Sequence, residues 1–415
     1  MRITKIGWIA LALALALPMA ATAADKVSLT FGSWRTDDVE KVNAIIAIFN
    51  KTNPDIQIKF DPTNPPDYNA TLRLQLENGT GPDIFYARSY DTGRELFKAG
   101  YMLDLSKEAF LGKFEKVNVG PWTTMDGKVF GLPLAAVSHG IYYNQSIFKD
   151  NGIAVPGTWE DLIAAAKKLK DKGITPFANG LKDEWDVAEV VWMNIAPSFV
   201  GADGRVAYET GKRAFNDASM VSVFKAVQDL GPYLPNGFQA VDYNAMHALF
   251  NMGKAAMFFD GSWSIPDVEK AAPGFDWGVF AVPALKGKKS VVTFHPDAGV
   301  AINPTSKNIP AAKVFLAWLA SPDGAKAIGD NMTGLFPMSK SPIVLSNKYA
   351  NAFLAFNKDR QTDVRFTWPM LMSGKPSAYD LVMNGSIAVL NGKKTPKAAA
   401  DDLATGLAQW YKPMK

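Results

Sequence analysis

Residues 27–60 read VSLTFGSWRTDDVEKVNAIIAIFNKTNPDIQIKF, and this stretch decides the fold class. Apolar residues alternate over 27–31 and again over 56–60, which predicts two β-strands. Between them, apolar residues recur with the spacing of one helix face: Val39, Val42, Ile45, Ile46 and Phe49. A strand, a helix of about a dozen residues and a second strand predict a parallel βαβ unit. Strand and helix patterns keep alternating further along the chain, so the sequence predicts an α/β fold.

The first 23 residues have the three-part layout of a secretory signal peptide. Arg2 and Lys5 give a positive start, residues 6–17 are apolar, and Ala21-Thr22-Ala23 offers a cleavage site of small residues. The apolar core is too short to cross a bilayer of ~30 Å as a helix. We expect cleavage after Ala23 and a location in a periplasm. The chain contains no Cys, so we expect no lipid anchor.

The composition is that of an ordinary globular protein, with 48% hydrophobic and 20% charged residues. The formal net charge is only +4, and two of its positive charges belong to the predicted leader. This balance gives no reason to expect nucleic acid or an anionic membrane as a partner. No later segment is long and apolar enough to predict membrane insertion. Without Cys, thiol catalysis and zinc–thiolate sites are excluded, and we expect no cofactor.

A ligand site is predicted where aromatic and polar residues follow the strands. Open α/β sheets bind ligands beyond the carboxyl ends of their strands. The strand ends run into 33–35 (Ser-Trp-Arg), 86–90 (Tyr-Ala-Arg-Ser-Tyr) and 260–263 (Asp-Gly-Ser-Trp), where the strand before Asp260 is predicted over 255–259. Rings that stack on the C–H face of a sugar, beside groups that pair with its hydroxyls, favour a carbohydrate ligand. The alternatives are that each Trp is a core residue and that Arg35 and Arg88 are solvated surface charges.

The histidines near these segments do not indicate a metal site. His139 and His295 lack an HExxH context and a nearby Cys. We interpret them as structural or hydrogen-bonding histidines, with contact to a ligand hydroxyl or anion as the alternative. From placement alone, Arg35, Arg88, His139 and Asp297 are the predicted polar contacts.

Six segments, in order along the chain, resemble the family 1 extracellular solute-binding proteins of ABC importers, the maltose-binding protein family. They are 27–34 as the first strand, GPDIFYA at 81–87 with GYMLDL at 100–105, DGKVFGLP at 126–133 with IYYN at 141–144, PGTWEDL at 156–162, 250–263 as an F-x-x-G-x-A-A-M…G-x-W segment, and SPDG at 321–324. Each segment alone is weakly specific, whereas six in the family's order are strongly so. The resemblance covers essentially the whole mature chain.

The resemblance implies a type II periplasmic binding protein fold, with two discontinuous α/β lobes joined by a hinge and the ligand in the cleft between them. The N-terminal lobe is expected at 24–134 and 292–336, and the C-terminal lobe at 137–286 and 342–415. The crossovers are expected near Pro133, Val282-Pro283 and Pro337. The implied function is capture of a mono- or oligosaccharide by a monomer. Lobe closure would then deliver the sugar to the permease subunits of an ABC importer.

The family's aromatic positions fall on Tyr86, Trp263 and Trp368, and Trp185 lies near another. In the maltose binder a charged pair often follows the Tyr86 position, but Ser89 and Tyr90 stand there in this chain, so the resemblance does not extend to maltodextrin specificity. The complete predicted ligand set is Trp34, Arg35, Tyr86, Arg88, Ser89, His139, Trp185, Asp260, Trp263, Asp297 and Trp368.

Two other functions stay open at this point. A secreted carbohydrate-active enzyme would need two carboxylates flanking the scissile bond, and the sequence has neither a G-x-S-x-G nor an HExxH motif. A binding protein is therefore favoured over an enzyme. The same fold could bind a different ligand class, namely a peptide, a polyamine, a metal or an anion, although the abundant aromatic residues argue against phosphate or metal. A polyol also stays open, and the two arginines near the cleft leave an acidic sugar open.

Overall fold

A computed structural model describes residues 26–201, 203–271, 273–342, 344–367 and 369–414. The predicted signal peptide, residues 1–23, lies outside these ranges. The described ranges contain these strands: β1 Val27–Ser33, β2 Ile56–Pro62, β3 Ile84–Ala87, β4 Leu132–Asn144, β5 Thr175–Phe177, β6 Ala255–Gly261, β7 Trp277–Phe280, β8 Val291–Ile302, β9 Phe336–Pro337 and β10 Gln361–Asp363.

The same ranges contain sixteen α-helices. They are α1 Val39–Asn50, α2 Pro65–Glu77, α3 Tyr90–Lys98, α4 Lys116–Val119, α5 Gln145–Asp150, α6 Trp159–Asp171, α7 Met193–Val200, α8 Gly204–Glu209, α9 Ala218–Leu230, α10 Tyr243–Asn251, α11 Ile265–Ala271, α12 Ile309–Leu319, α13 Pro322–Asn331, α14 Lys348–Asp359, α15 Ala378–Leu390 and α16 Pro396–Ala408. A π-helix, Asp186–Trp192, precedes α7.

The strands join in a mixed sheet whose main order is β2-β1-β3-β8-β4-β6-β5. β1 is parallel to both β2 and β3, which confirms the predicted βαβ unit. β5 is likewise parallel to β6. Between these parallel parts, β8 runs antiparallel to β3 and to β4, and β4 runs antiparallel to β6. The predicted α/β fold is confirmed.

The hydrophobic core has two large parts. One buried cluster draws its residues from 29–137 and 298–338, and another draws them from 141–282 and 366–411. β4 passes between them, since its residues 132–138 pair with β8 and its residues 139–143 pair with β6. We call these clusters the first core and the second core. The lobe ranges given above stay a prediction.

The strand β6 is longer than its sequence pattern predicts. The pattern ends the strand at Phe259, whereas the ladder continues through Asp260, which pairs with Gly140 of β4. Asp260 is therefore a strand residue and not the first residue of the following loop. The turn at Gly261 brings the chain to Trp263.

Candidate functional site: a cleft lined by indoles and arginines

A cavity of about 550 Å³ collects side chains from both core regions. Its lining consists of aromatic, charged and small polar residues, together with one methionine: Trp34, Arg35, Asn69, Arg88, Ser89, Tyr90, Asp91, Thr92, Trp185, Trp263, Asp297, Arg365 and Met372. Its volume lies within the range of small-molecule sites.

Trp34 forms one aromatic wall at the end of β1. Its ring meets the rings of Tyr68 and Tyr86 edge-on, with centroids 5.5 and 5.3 Å away. The guanidinium carbon of Arg88 lies 3.7 Å from the Trp34 ring centroid. This distance is that of a cation–π contact. The N-terminal side of the cleft therefore offers an indole with a guanidinium on its face.

Arg35 follows Trp34 and stays charged in this partly buried place. Its Nε donates to the carboxylate of Asp38. Burial by itself would lower the pKa of Arg35, but the attraction of Asp38 and, more weakly, of Asp297 raises that pKa above the usual range for arginine. The Arg35 guanidinium is thus a fixed positive donor beside the cavity.

The first turn of α3 supplies Ser89, Tyr90, Asp91 and Thr92 to the lining. Tyr90 has φ 55°, a left-handed conformation that a bulky side chain rarely adopts. Strained backbone of this kind is often found at ligand sites. The Asp91 carboxylate accepts a hydrogen bond from Arg94, at 3.1 Å.

Trp263 forms the opposite wall, and the turn before it is shaped to admit its ring. A Cβ atom at Gly261 would lie 1.9 Å from Cζ3 of Trp263, so this position requires glycine. The indole N–H of Trp263 donates to the hydroxyl of Tyr243, at 2.8 Å. The guanidinium carbon of Arg365 lies 5.9 Å from the Trp263 ring.

Trp185 lies beside Trp263, at the start of the π-helix. Its ring is 4.7 Å from that of Tyr243, so Tyr243 contacts both indoles on this side. Tyr243 itself belongs to α10 and is not a lining residue. Burial, followed by the charge of Asp260, raises the pKa of Tyr243 well above its usual value, so its phenol is neutral.

The cavity brings together seven of the predicted ligand residues: Trp34, Arg35, Arg88, Ser89, Trp185, Trp263 and Asp297. Tyr86 is not among the lining residues, because it lies in the fully buried strand β3 and is 1% exposed. Its ring supports Trp34 from behind. Trp368 lies outside the described residues. The assignment of all these residues as ligand contacts stays a prediction.

His139 and Asp260 lie behind Trp263 and outside the lining. Nε2 of His139 is 3.1 Å from Nε2 of His295, and both rings are buried. Trp263 meets the His139 ring edge-on at 5.1 Å. Burial first, and the charge of Arg365 second, lower the pKa of both histidines well below 6.5. The pair is therefore neutral at pH 7.

Asp260 is 0% exposed and accepts a set of short hydrogen bonds. The hydroxyls of Tyr243 and Ser264 donate to its Oδ2, at 2.8 and 2.5 Å. Nε2 of His247 lies 3.0 Å from the same atom, and the Gly261 N–H donates to Oδ1. Its carboxylate is directed into this buried network.

The sequence reasoning missed several lining residues: Asn69, Tyr90, Asp91, Thr92, Arg365 and Met372. Tyr90 is the last residue of the strand-end stretch 86–90, and extending that stretch by two residues would have found Asp91 and Thr92. Asn69 occupies an exposed position in α2. Arg365 and Met372 lie in a stretch without regular periodicity, where the family resemblance indicated a ligand contact only at Trp368.

The matched family model describes bacterial extracellular solute-binding proteins and covers residues 32–326. The chain belongs to this family. It is similar to the multiple sugar-binding protein of Streptococcus mutans, with 24% identity over 94% of this chain and 91% of the relative. It is also similar to a maltooligosaccharide ABC transporter solute-binding lipoprotein of Streptococcus pneumoniae, with 26% identity over 82% of this chain and 79% of the relative.

Among solved structures, the chain is similar to the solute-binding protein RafE in complex with raffinose. The TM-score is 0.74 at 23% identity, and the match covers 94% of this chain and all of that chain. The family model confirms the family resemblance. The solved structure confirms the predicted type II periplasmic binding protein fold, with two lobes and a hinge.

No helix in the part of the chain that the structure describes combines the length and apolar character needed to cross a membrane. Nor do the described residues contain a group of three or more His, Asp or Glu side chains placed to hold a metal ion.

Proposed function

We propose that this solute-binding protein captures a small carbohydrate in the cleft and delivers it to an ABC importer. The observation that carries the proposal is the composition of the cavity. Trp34 on one side and Trp185 and Trp263 on the other surround about 550 Å³ that is also lined by arginine and aspartate side chains. The C–H face of a sugar stacks on indole, and its hydroxyls accept from guanidinium and donate to carboxylate.

The names of the relatives support a sugar as the ligand and an ABC transporter as the system that this protein serves. One is named as a multiple sugar-binding protein, one as part of a maltooligosaccharide ABC transporter, and one binds raffinose. We therefore propose permease subunits of an ABC importer as the partner, with this chain acting as a monomer. A periplasmic location is supported by the family's extracellular character and by the signal-like residues 1–23.

Closure of the lobes is the proposed mechanism of delivery. We propose that the two lobes move as separate bodies. The N-terminal lobe comprises 24–134 with 292–336, and the C-terminal lobe comprises 137–286 with 342–415. The crossovers near Pro133, Val282-Pro283 and Pro337 would form the hinge. A sugar that touches Trp34 and Trp263 together stabilises only the closed arrangement, and such differential contact drives a hinge motion.

A thermal-shift screen of the purified protein tests capture. The panel contains galactose, maltose, raffinose and sorbitol, and calorimetry then measures the affinity of any compound that raises the melting temperature. A ligand that binds only the folded state must raise it. Chromatography of the recovered ligand separates a receptor from an enzyme, since a receptor returns the sugar intact. If none of these compounds raises the melting temperature of the protein, the proposal is contradicted for them.

An acidic sugar is a second candidate ligand, because three arginines, Arg35, Arg88 and Arg365, line the cavity against two aspartates. A guanidinium binds a carboxylate through strong charge-assisted hydrogen bonds. Matched pairs decide the question: galacturonate against galactose, and glucuronate against glucose. Tighter binding of the uronates that weakens as salt is added supports the acidic sugar. Preference for the neutral member of each pair excludes it.

A further inference from the structure

Tyr243 connects the two indoles on one side of the cleft although it is not a lining residue. Its hydroxyl accepts the N–H of Trp263 at 2.8 Å, and its ring packs 4.7 Å from that of Trp185. A change at Tyr243 would therefore affect both indoles on this side of the cleft.

Two of the hydrogen bonds at the Tyr243 hydroxyl, those with Trp263 and Asp260, have a fixed direction. An indole N–H can only donate. The Tyr243 hydroxyl therefore accepts from Trp263 and donates its single proton to Asp260, at 2.8 Å. Ser264 donates to the same oxygen of Asp260, at 2.5 Å, and lies 2.8 Å from the Tyr243 hydroxyl.

The base of this network is rigid. Asp260 is a fully buried residue of β6, and its Oδ1 accepts the N–H of Gly261. Tyr243 is the first residue of α10, and its own N–H donates to Asp183, at 2.8 Å. Both ends of the connection are thus anchored to regular structure. Strand β6 and helix α10 together determine where the Tyr243 hydroxyl lies.

We propose that Tyr243 is a positioning residue for ligand binding. Held by Asp260, it sets the planes of Trp263 and Trp185 before any ligand arrives. A ring wall that is fixed in advance gives tighter binding, because the ligand does not have to order it. This inference rests on the proposed function for its effect on affinity, but the orientation of the rings can be tested without ligand.

The test compares the full chain with the Tyr243→Phe variant, which keeps the ring beside Trp185 and removes only the hydroxyl. Without ligand, we expect the near-ultraviolet circular dichroism of the tryptophans to change. With whichever of galactose, maltose or raffinose binds the wild-type protein, we expect affinity to fall roughly tenfold, which equals about 1.4 kcal/mol.

The matched control is Tyr208→Phe. Tyr208 donates to Asp217 at 2.6 Å, so this variant also breaks a tyrosine–aspartate bond in the second core, but Tyr208 does not line the cavity. We expect its sugar affinity to equal that of the wild type. If Tyr243→Phe does not fold, Ser264→Ala removes the adjacent hydroxyl and should shift the dichroism and affinity in the same direction by less.

A double-mutant cycle with Trp263→Phe shows whether Tyr243 acts through Trp263. That variant removes the indole N–H, so adding Tyr243→Phe to it should weaken binding much less than Tyr243→Phe does alone. Additive losses would overturn the proposal, as would wild-type dichroism together with wild-type affinity. If no probe binds the wild-type protein, the proposed function fails for these sugars, and the dichroism still decides whether Tyr243 positions the rings.

Discussion

Trp263 is held in place by several different contacts. Its N–H is held by Tyr243, its edge meets His139, and its ring fits only because residue 261 is glycine. We expect Trp263→Ala to weaken sugar binding by more than ~1 kcal/mol, because the sugar loses its stacking surface. Calorimetric titration measures the change.

The control for this variant is Trp410→Ala. The Trp410 indole donates to the Pro376 carbonyl at 2.8 Å and does not line the cavity. Its loss should leave the affinity unchanged. Wild-type affinity in a folded Trp263→Ala protein would remove Trp263 from the site.

His139 and His295 should make the stability of the protein depend on pH. Both rings resist protonation in the folded state because burial and the nearby Arg365 lower their pKa values. In the unfolded chain they titrate near pH 6.5. Below that pH the unfolded state binds more protons than the folded state does. The contribution of the pair to the free energy of unfolding therefore has its full value above pH 6.5 and decreases as the pH falls below it.

Urea titrations at pH 7.5 and pH 5 measure this effect. We expect the free energy of unfolding to fall between these values by more in the wild type than in a His139→Gln/His295→Gln variant. The difference between the two proteins isolates the pair from the carboxylates that titrate in the same range. Equal pH dependence in both proteins would refute the assignment.

The sequence predicted cavity-lining residues well where the side chain follows a strand, whereas Tyr86, His139 and Asp260 lie within strands and do not line the cavity. Trp34 directly follows β1 and Trp263 lies in the short 3-10 helix Ser262–Ser264 after β6, so their place at a strand end also places their rings in the cavity. Asp260 is still paired in β6, and its carboxylate is buried among Tyr243 and Ser264. Whether Asp260 lies in the strand or in the following loop depends on one or two residues of strand length. Hydrophobic patterns do not define strand ends so closely.

At the scale of elements, the end of β6 at Gly261 determines where the Trp263 ring lies. The backbone of Gly261 is held by its pairing with His139 of β4, so a methyl group added there must push the Trp263 ring away. We expect Gly261→Ala to weaken sugar binding by on the order of 1 kcal/mol, comparable to the loss of the ring itself. Calorimetry with the sugar identified in the screen measures it.

Gly274→Ala is the matched control, since a Cβ atom there would meet no atom within 4 Å. It should bind sugar like the wild type. If Gly261→Ala also keeps full affinity, then the ring position seen here is not the one that the ligand uses.

Local elements were predictable because their patterns are local. The βαβ unit of β1, α1 and β2 follows from alternation and helical spacing within 34 residues. The central strand β8 was not predicted as an element. Its residues are almost all buried, so they show little polar–apolar alternation, and its partners β3 and β4 are distant in sequence. Pairing between distant segments leaves no pattern in a single sequence.

At the scale of the molecule, the cavity depends on residues from position 34 to position 372. Trp34 and Arg88 belong to the part of the chain that builds the first core, and Trp185 and Trp263 to the part that builds the second. β4 connects these parts through a continuous strand. A ligand held by both sides therefore couples its binding energy to the separation between them.

This coupling predicts two measurable changes on addition of the sugar found in the screen. At a ligand concentration a hundredfold above Kd, the free energy of unfolding should rise by about 2.7 kcal/mol, because ligand binds only the folded state. The radius of gyration from small-angle X-ray scattering should fall, because contact with Trp34 and Trp263 together favours the closed arrangement. In a Trp34→Ala/Trp263→Ala variant, the same sugar concentration should change both quantities by less than in the wild type, because the variant binds the sugar more weakly. A rise in stability with an unchanged radius would retain capture and refute closure, whereas no change in either quantity would refute both.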